Sequence, residues 1–568
     1  MDMKRTAVKG QTFEEGARSM HDAIEAGRPE AYFANGADPL HAGFLAKAII
    51  HSGPGGMPLM GEEARKRLDA LADRPRSGKT LAYVHVPFCE TRCLYCMFYQ
   101  NPYQPEAVHA YAQRLVKEFE LWEKRAAQAS APIHAVYFGG GTPTAFAPED
   151  MKLVLGALKK HLPLANDCEI TIEGRIHNLT DAKMEAALEA GANRFSLGVQ
   201  TFNTEIRQSV QRVDGRDAII ERLNRLCSYD NAAVVIDLIY GFPGQTMEVW
   251  EDDLRTAASL KLDGIDCYQL NVFEKSPLAK YIKNGKLPAA ADTALKADLF
   301  ARSVEYFTSQ NWRRLSNNHW GSSTRERNIY NALGKSACDC LAFGCGAGGR
   351  LAGHSFMMER KLADYNAMLD AGVKPASFLM APGANWHLLR TISAAMESGS
   401  ISLAKIGREF GLPQIEAIAA PVLSQWCEAG MLVKKGDWYY QTVAGQYWHV
   451  TLAQLLMDWI GKHLSASAAA AAGASALAPA SQKEEPFGMR EAARLLSRFP
   501  SAMREMARLM PRAMLMKSVR DLTQEKVTEL APGVRRDDLI AFMEGLSTAD
   551  LDRLLKAPET FLARHEAS

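Results

Sequence analysis

Residues Tyr83 to Tyr99 read YVHVPFCETRCLYCMFY and place Cys89, Cys93 and Cys96 at C-x3-C-x2-C spacing. Three thiolates so spaced can ligate three irons of a [4Fe-4S] cube and leave the fourth iron without a protein ligand. A cluster that only transfers electrons ordinarily has all four corners held by Cys, so a small molecule is expected to complete this one. S-adenosylmethionine (SAM) can do so, chelating the open iron through its amino and carboxylate groups. A structural zinc site would need a fourth Cys or His at a fitting distance, and only His85 lies nearby, with no second C-x2-C pair.

The stretch opens a longer pattern. Between Leu81 and Leu270 the β-rich runs LAYVHV, IHAVYF, EITIEG, RFSLGV, AVVIDLIYG and GIDCYQL alternate with helical stretches. Apolar runs bounded by glycine and joined by crossover helices predict an α/β fold with a parallel sheet, and six units predict an open (β/α)6 barrel. Functional groups then gather at the carboxyl ends of the strands. The cysteines follow the first strand, the GGGT turn follows the second, Glu173 ends the third, Gln200 the fourth, and Asp237 lies at the end of the fifth.

Composition narrows the class. A chain of 568 residues with 47% hydrophobic content supports more than one domain, and a net charge of +1 carries no polyanion footprint, so nucleic acid is not expected as a partner. MDMKRTAVKGQTFEEG has no apolar signal region, and apolar stretches elsewhere are interrupted before membrane-spanning length. A cytoplasmic protein without a membrane span is expected. Its ten cysteines are then thiols or metal ligands. Cys168, Cys227, Cys267 and Cys427 read as small buried hydrophobes, and Cys338, Cys340 and Cys345 in ACDCLAFGCGAGG read as part of a tight glycine turn.

Boundaries follow from composition. Residues 1–76 form a partly helical extension, 77–275 the barrel, and 276–464 a second domain with a winged-helix-like order of helices before the hairpin GMLVKKGDWYYQT. The third helix of that unit, LPQIEAIAAPVLSQWCEAG, contains no Lys or Arg to meet phosphates, so packing or lid work is expected of it. Residues 465–486 are Ala/Ser-rich and read as a linker, and 487–568 as a small all-α tail punctuated by Pro500, Pro511, Pro532 and Pro558. Its methionines, including Met503, Met506, Met510, Met514 and Met516, read as core packing.

The run Y-x-H-x-P-F-C-x3-C-x-Y-C resembles the radical SAM proteins related to oxygen-independent coproporphyrinogen III dehydrogenase, the HemN-like family. The resemblance extends from about Lys79 to about Leu456 through Gly139-Gly140-Gly141-Thr142-Pro143-Thr144, Gly198-Val199-Gln200, Asp237-Leu238-Ile239-Tyr240-Gly241 and Pro243-Gly244-Gln245-Thr246. It implies a partial TIM barrel of the radical SAM type followed by a HemN-like domain that closes over it. It also implies that Tyr83, Phe88, Tyr95, Gly140, Gly141, Thr142, Glu173, Gln200, Arg212 and Asp237 serve SAM or the cluster. Gly140 and Gly141 would let backbone approach the methionine end of SAM. Glu173 and Asp237 would accept from amino or ribose groups, and Arg212 offers a fork to a carboxylate.

Two departures separate this chain from the dehydrogenase: Phe98 stands where that enzyme has a further Cys, and Gly174-Arg175-Ile176 replaces the Pro common after the third-strand Glu. Asn317-Asn318-His319-Trp320 and Arg325 to Tyr330 loosely resemble the region through which related haem chaperones hold haem, although Met97 replaces the Asp usual there. The combination is most similar to the anaerobic haem-degrading methyltransferase branch. That likeness implies haem or a related tetrapyrrole as substrate, a one-carbon transfer from SAM to a meso carbon, and opening of the macrocycle with release of iron. It also implies two SAM equivalents and an electron donor such as flavodoxin or another reductase. His319 and His354 are the candidate haem ligands, and Arg175 a candidate propionate partner. Coproporphyrinogen decarboxylation and haem chaperoning are the alternatives.

Overall fold

The computed structural model describes residues 12–25, 29–47, 49, 51–475, 496, 507–508, 512–521, 523–524, 527 and 535–556. Six strands, β1 Thr80–Val86, β2 Ile133–Gly140, β3 Leu164–Arg175, β4 Arg194–Gln200, β5 Ala233–Tyr240 and β6 Gly264–Gln269, lie side by side in chain order, every pair parallel. Helices Pro105–Leu121, Pro148–His161, Asp181–Glu189, Arg216–Ser228 and Met247–Ser259 make the crossovers. This is the open parallel α/β barrel that the sequence predicts.

The two faces of the sheet differ because side chains alternate along a strand. Ala82, Val84, Val136, Phe138, Ile172, Leu197, Ile236 and Leu238 are buried in the main core with the crossover helices. The alternate positions, Tyr83, Tyr137, Glu173 and Asp237, are only half-buried, and Tyr268 is exposed. These residues line an inner bowl whose rim is the carboxyl edge of the sheet.

The sheet extends past six strands on both sides. β7, Asp339–Phe343, pairs parallel with the free side of β1, Asp339 opposite Thr80 and Phe343 opposite Val84. Beyond it run the antiparallel strands Gly348–Leu351, His354–Met358, Ala376–Pro382 and Gly56–Met60. On the other side His319–Gly321 pairs antiparallel with β6. The expected glycine turn at Cys338–Cys345 is therefore corrected: Cys340 belongs to β7, and only Gly344 and Gly346, with φ of 100° and 86°, turn the chain. The apolar CLAF run satisfies a strand against β1, whose edge would otherwise leave its ladder groups unpaired.

Helices Trp386–Glu397, Leu403–Phe410 and Ile415–Glu428 alternate with strands Ser400–Ile401, Leu432–Lys435 and Trp438–Gln441 in winged-helix order. The third of these helices is covered by the N-terminal segment: Gln425 exchanges hydrogen bonds with the backbone of Ala34, and Trp426 Nε1 donates to the Tyr32 carbonyl. The next helix, His449–Ser475, runs on into the Ala/Ser-rich stretch. Alanine is the best helix former, so residues 465–475 continue a helix where a flexible linker was expected. Residues 476–486 lie outside the described residues, as do the four tail prolines, Met503, Met506, Met510 and the side chain of Met514. Met516 packs with Val527, Leu539 and Met543 in a small separate core. Among the described residues no helix is long and apolar enough to cross a membrane.

Candidate functional site

Pro87 ends β1, and the chain then forms a lobe closed at its base. Phe88–Cys89 pairs with Asn101–Pro102, and Tyr103 N donates to the Cys89 carbonyl at 2.9 Å. Cys93 and Cys96 sit on a turn within the lobe, Cys96 N donating to the Cys93 carbonyl. All three sulfurs receive a donor: Thr142 Oγ1 to Cys89 at 3.3 Å, Arg212 Nη1 to Cys93 at 3.7 Å, and Phe98 N to Cys96 at 3.3 Å. Such donors stabilise the anionic sulfur of a cluster ligand and tune its potential.

Charge is distributed unevenly among the thiols. Burial pushes Cys89 up, opposed by Thr142, and pushes Cys96 up to about 11. At Cys93 burial acts the same way but is overcome by Arg212 and Arg175, which hold the thiol below its ordinary value. Zinc would need its ligands about 2.3 Å from a single point. Among the described residues no three His, Cys, Asp or Glu side chains are grouped as one ion requires. Three hydrogen-bonded sulfurs on one lobe, those of Cys89 and Cys93 buried and that of Cys96 half-buried, fit a cube, which takes each sulfur at a different iron.

The same geometry places Arg175, the candidate propionate partner, beside the lobe. It is buried, its Nη1 donates to the Thr91 carbonyl at 2.9 Å, its charge bears on Cys93, and its Nε is buried with no hydrogen-bond partner. It ties β3 to the cysteine lobe. Phe88 is corrected: its ring is buried edge-on against Tyr111 in the main core, away from the bowl.

The turn after β2 is held tightly. A Cβ on Gly141 would lie 2.7 Å from the Phe88 carbonyl and 2.8 Å from that of Val86, while one on Gly140, at φ 108°, would meet the His85 ring. These glycines are demanded first by the protein's own packing, which seats the GGGT turn on the cysteine lobe. His85 is occupied on both nitrogens, by Tyr83 Oη at 3.0 Å and Gln100 Oε1 at 2.9 Å, and burial pushes it down to about 4. It is a neutral ring and no fourth metal ligand.

The structure brings Glu173, Gln200, Arg212 and Asp237 to the carboxyl edge with the lobe. Burial and the neighbouring Asp237 push Glu173 up to about 8. Burial and Asp266 push Asp237 up to about 7. Gln200 ends β4 at φ 73°, next to a register shift opposite β5, and its buried Oε1 has no hydrogen-bond partner. A strained backbone that aims an orphan acceptor into a bowl is a feature of ligand sites. Arg212 also donates to the Gly198 carbonyl. Tyr95 packs edge-on against Phe242 at 5.3 Å and closes the side of the lobe.

Below these groups lies a charged floor that the sequence did not disclose. Arg194 Nε donates to Glu326 at 2.9 Å, and His319 stands 3.4 Å from Glu326 and 2.8 Å from Asp266. All four are buried. Against the burial that lowers it, Asp266 and Glu326 hold His319 at about 9. Both ring nitrogens face carboxylates, so His319 is withdrawn as a haem ligand. Glu326 has no signal in the sequence because it arrives from a loop; Arg194 and Asp266 could have been placed here by strand alternation. The Arg325–Tyr330 segment plugs the opposite end of the barrel, where Glu169 accepts from the amides of Ile329 and Tyr330. His354 also lies at that end, beside Asp339 of β7, which accepts from Ala352 N.

Comparisons with known proteins agree with this geometry. The radical SAM superfamily matches residues 83–257. Anaerobilin synthase of Escherichia coli O157:H7 is 39% identical over 412 residues, covering 72% of this chain and 90% of that protein. The haem chaperone HemW of Lactococcus lactis is 28% identical over 272 residues, covering 48% of this chain and 70% of that protein. Among solved structures, coproporphyrinogen III oxidase (HemN) from Escherichia coli superposes with a TM-score of 0.61 at 22% identity, covering 70% of this chain and 93% of that one.

Proposed function

This chain belongs to the HemN-like radical SAM family, and on that premise we propose that it binds haem and, without oxygen, transfers a SAM-derived one-carbon unit to the porphyrin and opens the macrocycle, releasing iron. The carrying observation is the match to anaerobilin synthase over nearly the whole of that protein. As a family member the chain works with a [4Fe-4S] cluster and SAM. When bound, the cluster supplies the electron that cleaves the carbon–sulfur bond of SAM.

The protein's own groups do the rest. Cys89, Cys93 and Cys96 hold three irons, and the donors from Thr142, Arg212 and the Phe98 amide spread the charge of their sulfurs. Glu173 and Asp237, whose proton affinity burial raises toward neutral pH, give up protons as they accept from the amino or ribose groups of SAM. Gln200 Oε1 is free to accept from the ligand. Tyr95 and Phe242 keep water from the lobe, which limits side reactions. Phe98, 67% exposed immediately beyond Cys96, is an apolar surface for a porphyrin face. Two SAM equivalents are used, one as oxidant and one as carbon donor.

The setting is the cytoplasm, with a flavodoxin or another reductase as electron donor. Nucleic acid is not a partner in this reading. A net charge of +1 and a third winged-helix helix that lacks Lys and Arg and is covered by residues 32–34 support that exclusion.

Anaerobic incubation with haem, SAM and a reductant, followed by mass spectrometry, tests the proposal. A methylated, ring-opened tetrapyrrole is expected. Intact haem despite vigorous 5′-deoxyadenosine formation overturns it, and loss of two carboxyl groups from coproporphyrinogen III would assign the dehydrogenase reaction instead.

A further inference from the structure

A cavity of about 880 Å³ opens where the N-terminal segment meets the carboxyl end of β6 and the chain that follows it. That is the size range of cofactor and drug-like sites. Its apolar lining includes Phe13, Phe44, Leu45, Val272 and Ile282, and Leu45 is 45% exposed. Phe13 N donates to the Val272 carbonyl, which ties the N-terminal helix to the chain beyond β6. The helix Pro277–Lys283 forms another wall, and Leu278 N donates to the carbonyl of Leu94, between Cys93 and Cys96. The cavity and the cysteine lobe therefore share a wall on the same edge of the sheet.

Four lysines line this space: Lys47, Lys280, Lys283 and Lys296. Among the described residues none of them forms an ion pair. Lys47 donates to the Tyr447 carbonyl and lies 3.8 Å from the centre of that ring. The carboxylates of the lining are already occupied. Glu274 pairs with Arg18, Glu15 accepts from Thr12 N, and Asp292 caps the helix Thr293–Ser309 by accepting from Leu295 N. Gln269 adds a buried Oε1 with no partner. Lysines without an ion-pair partner among the described residues, beside apolar walls, favour a flat apolar ligand that carries its own carboxylates.

We propose that this cavity seats the carboxylate edge of the tetrapyrrole, with the apolar walls against the macrocycle and the four lysines receiving its two propionates. The inference rests on the haem reading above and names where that substrate is held. Burial pushes Lys296 down to about 8, only partly opposed by Asp292, and burial together with the neighbouring Lys296 pushes Lys47 well below its ordinary range, a cost that a bound carboxylate offsets. The propionate role once given to Arg175 passes to these lysines.

The test is direct binding, read by fluorescence anisotropy under nitrogen on the cluster-loaded full-length protein. The probes are zinc protoporphyrin IX and its dimethyl ester, in which both carboxylates are capped. The diacid is expected to bind at least about tenfold tighter than the ester, in line with the loss of charge-assisted hydrogen bonds. Lys296→Gln and Lys283→Glu are each expected to weaken the diacid by about tenfold and leave the ester unchanged. Lys283 is exposed, so its variant keeps the test valid should Lys296→Gln fail to fold. Equal binding of diacid and ester, or a diacid affinity unmoved in Lys283→Glu, overturns the cavity assignment while leaving haem as substrate. Failure of either probe to bind, together with intact haem in the turnover assay, removes the haem reading itself.

Discussion

SAM affinity should rise steeply with pH, because the carboxyls that receive it are held protonated in the empty bowl. Glu173 titrates at about 8 against an ordinary 4.5, and Asp237 at about 7 against 3.8, both raised by burial first. The folded protein therefore keeps protons that an unfolded chain has lost, and its stability without ligand falls as pH climbs from 4.5 to about 8. SAM brings a sulfonium and, at its amino and ribose groups, N–H and O–H donors, which favour the ionised forms. Binding near neutral pH therefore releases protons, and affinity is expected to rise about tenfold or more between pH 6 and pH 8. Isothermal titration of cluster-loaded protein, in buffers of differing ionisation enthalpy, reads both quantities. Glu173→Gln should flatten the slope to the share of Asp237 and weaken binding at pH 8 by about tenfold or more. Equal affinity at pH 6 and pH 8, with no buffer-dependent heat, would refute the reasoning.

Other expectations follow from single contacts. Gly141→Ala places a Cβ 2.7 Å from the Phe88 carbonyl and should cost about 1–3 kcal/mol, seen as a lower melting temperature and reduced iron and sulfide after reconstitution. Glu326→Gln removes the ion-pair partner of buried Arg194 and leaves His319 with Asp266 alone, a loss of about 3–5 kcal/mol measurable by urea unfolding. Thr142→Val removes the hydroxyl donor to Cys89 and should lower the reduction potential of the cluster in spectroelectrochemical titration, with little change in melting temperature. Cys93→Ala should abolish cluster binding and 5′-deoxyadenosine formation while haem still binds. Full turnover by that variant would contradict the role given to the lobe.

The cysteine lobe, the order of six strands and the acids at their ends were legible because each rests on local pattern: spacing, alternation and glycine. What escaped depends on contacts between distant segments. Arg175 reads as a charge free at a strand end, and only the structure shows it buried and tied by Nη1 to the Thr91 carbonyl. Phe88 directly precedes Cys89 in the motif, and only its contact with the distant Tyr111 shows its ring packed into the core. β7 is short and enclosed by glycine, so its turn signals outweighed its apolar run. Glu326 reaches Arg194 across 132 residues of chain, a separation that no periodicity spans.

The buried floor bears on why the acids above it titrate near neutrality. Arg194 and His319 carry two positive charges and Glu326 and Asp266 two negative ones, so the quartet is balanced and presents little net field to the bowl. Asp237, opposite Asp266 in register, feels repulsion from that carboxylate and attraction from Arg194 and His319. Those influences oppose one another, and desolvation is the largest cause of its raised proton affinity. A bowl walled this way binds a cation by releasing protons and gains little from a neutral ligand of the same shape. The lysine cavity has the opposite need, since its charges lack anions until a carboxylate arrives. Neighbouring sites with opposite unmet charge suit a cationic cosubstrate beside a dianionic macrocycle, and each ligand lowers the cost of placing the other there.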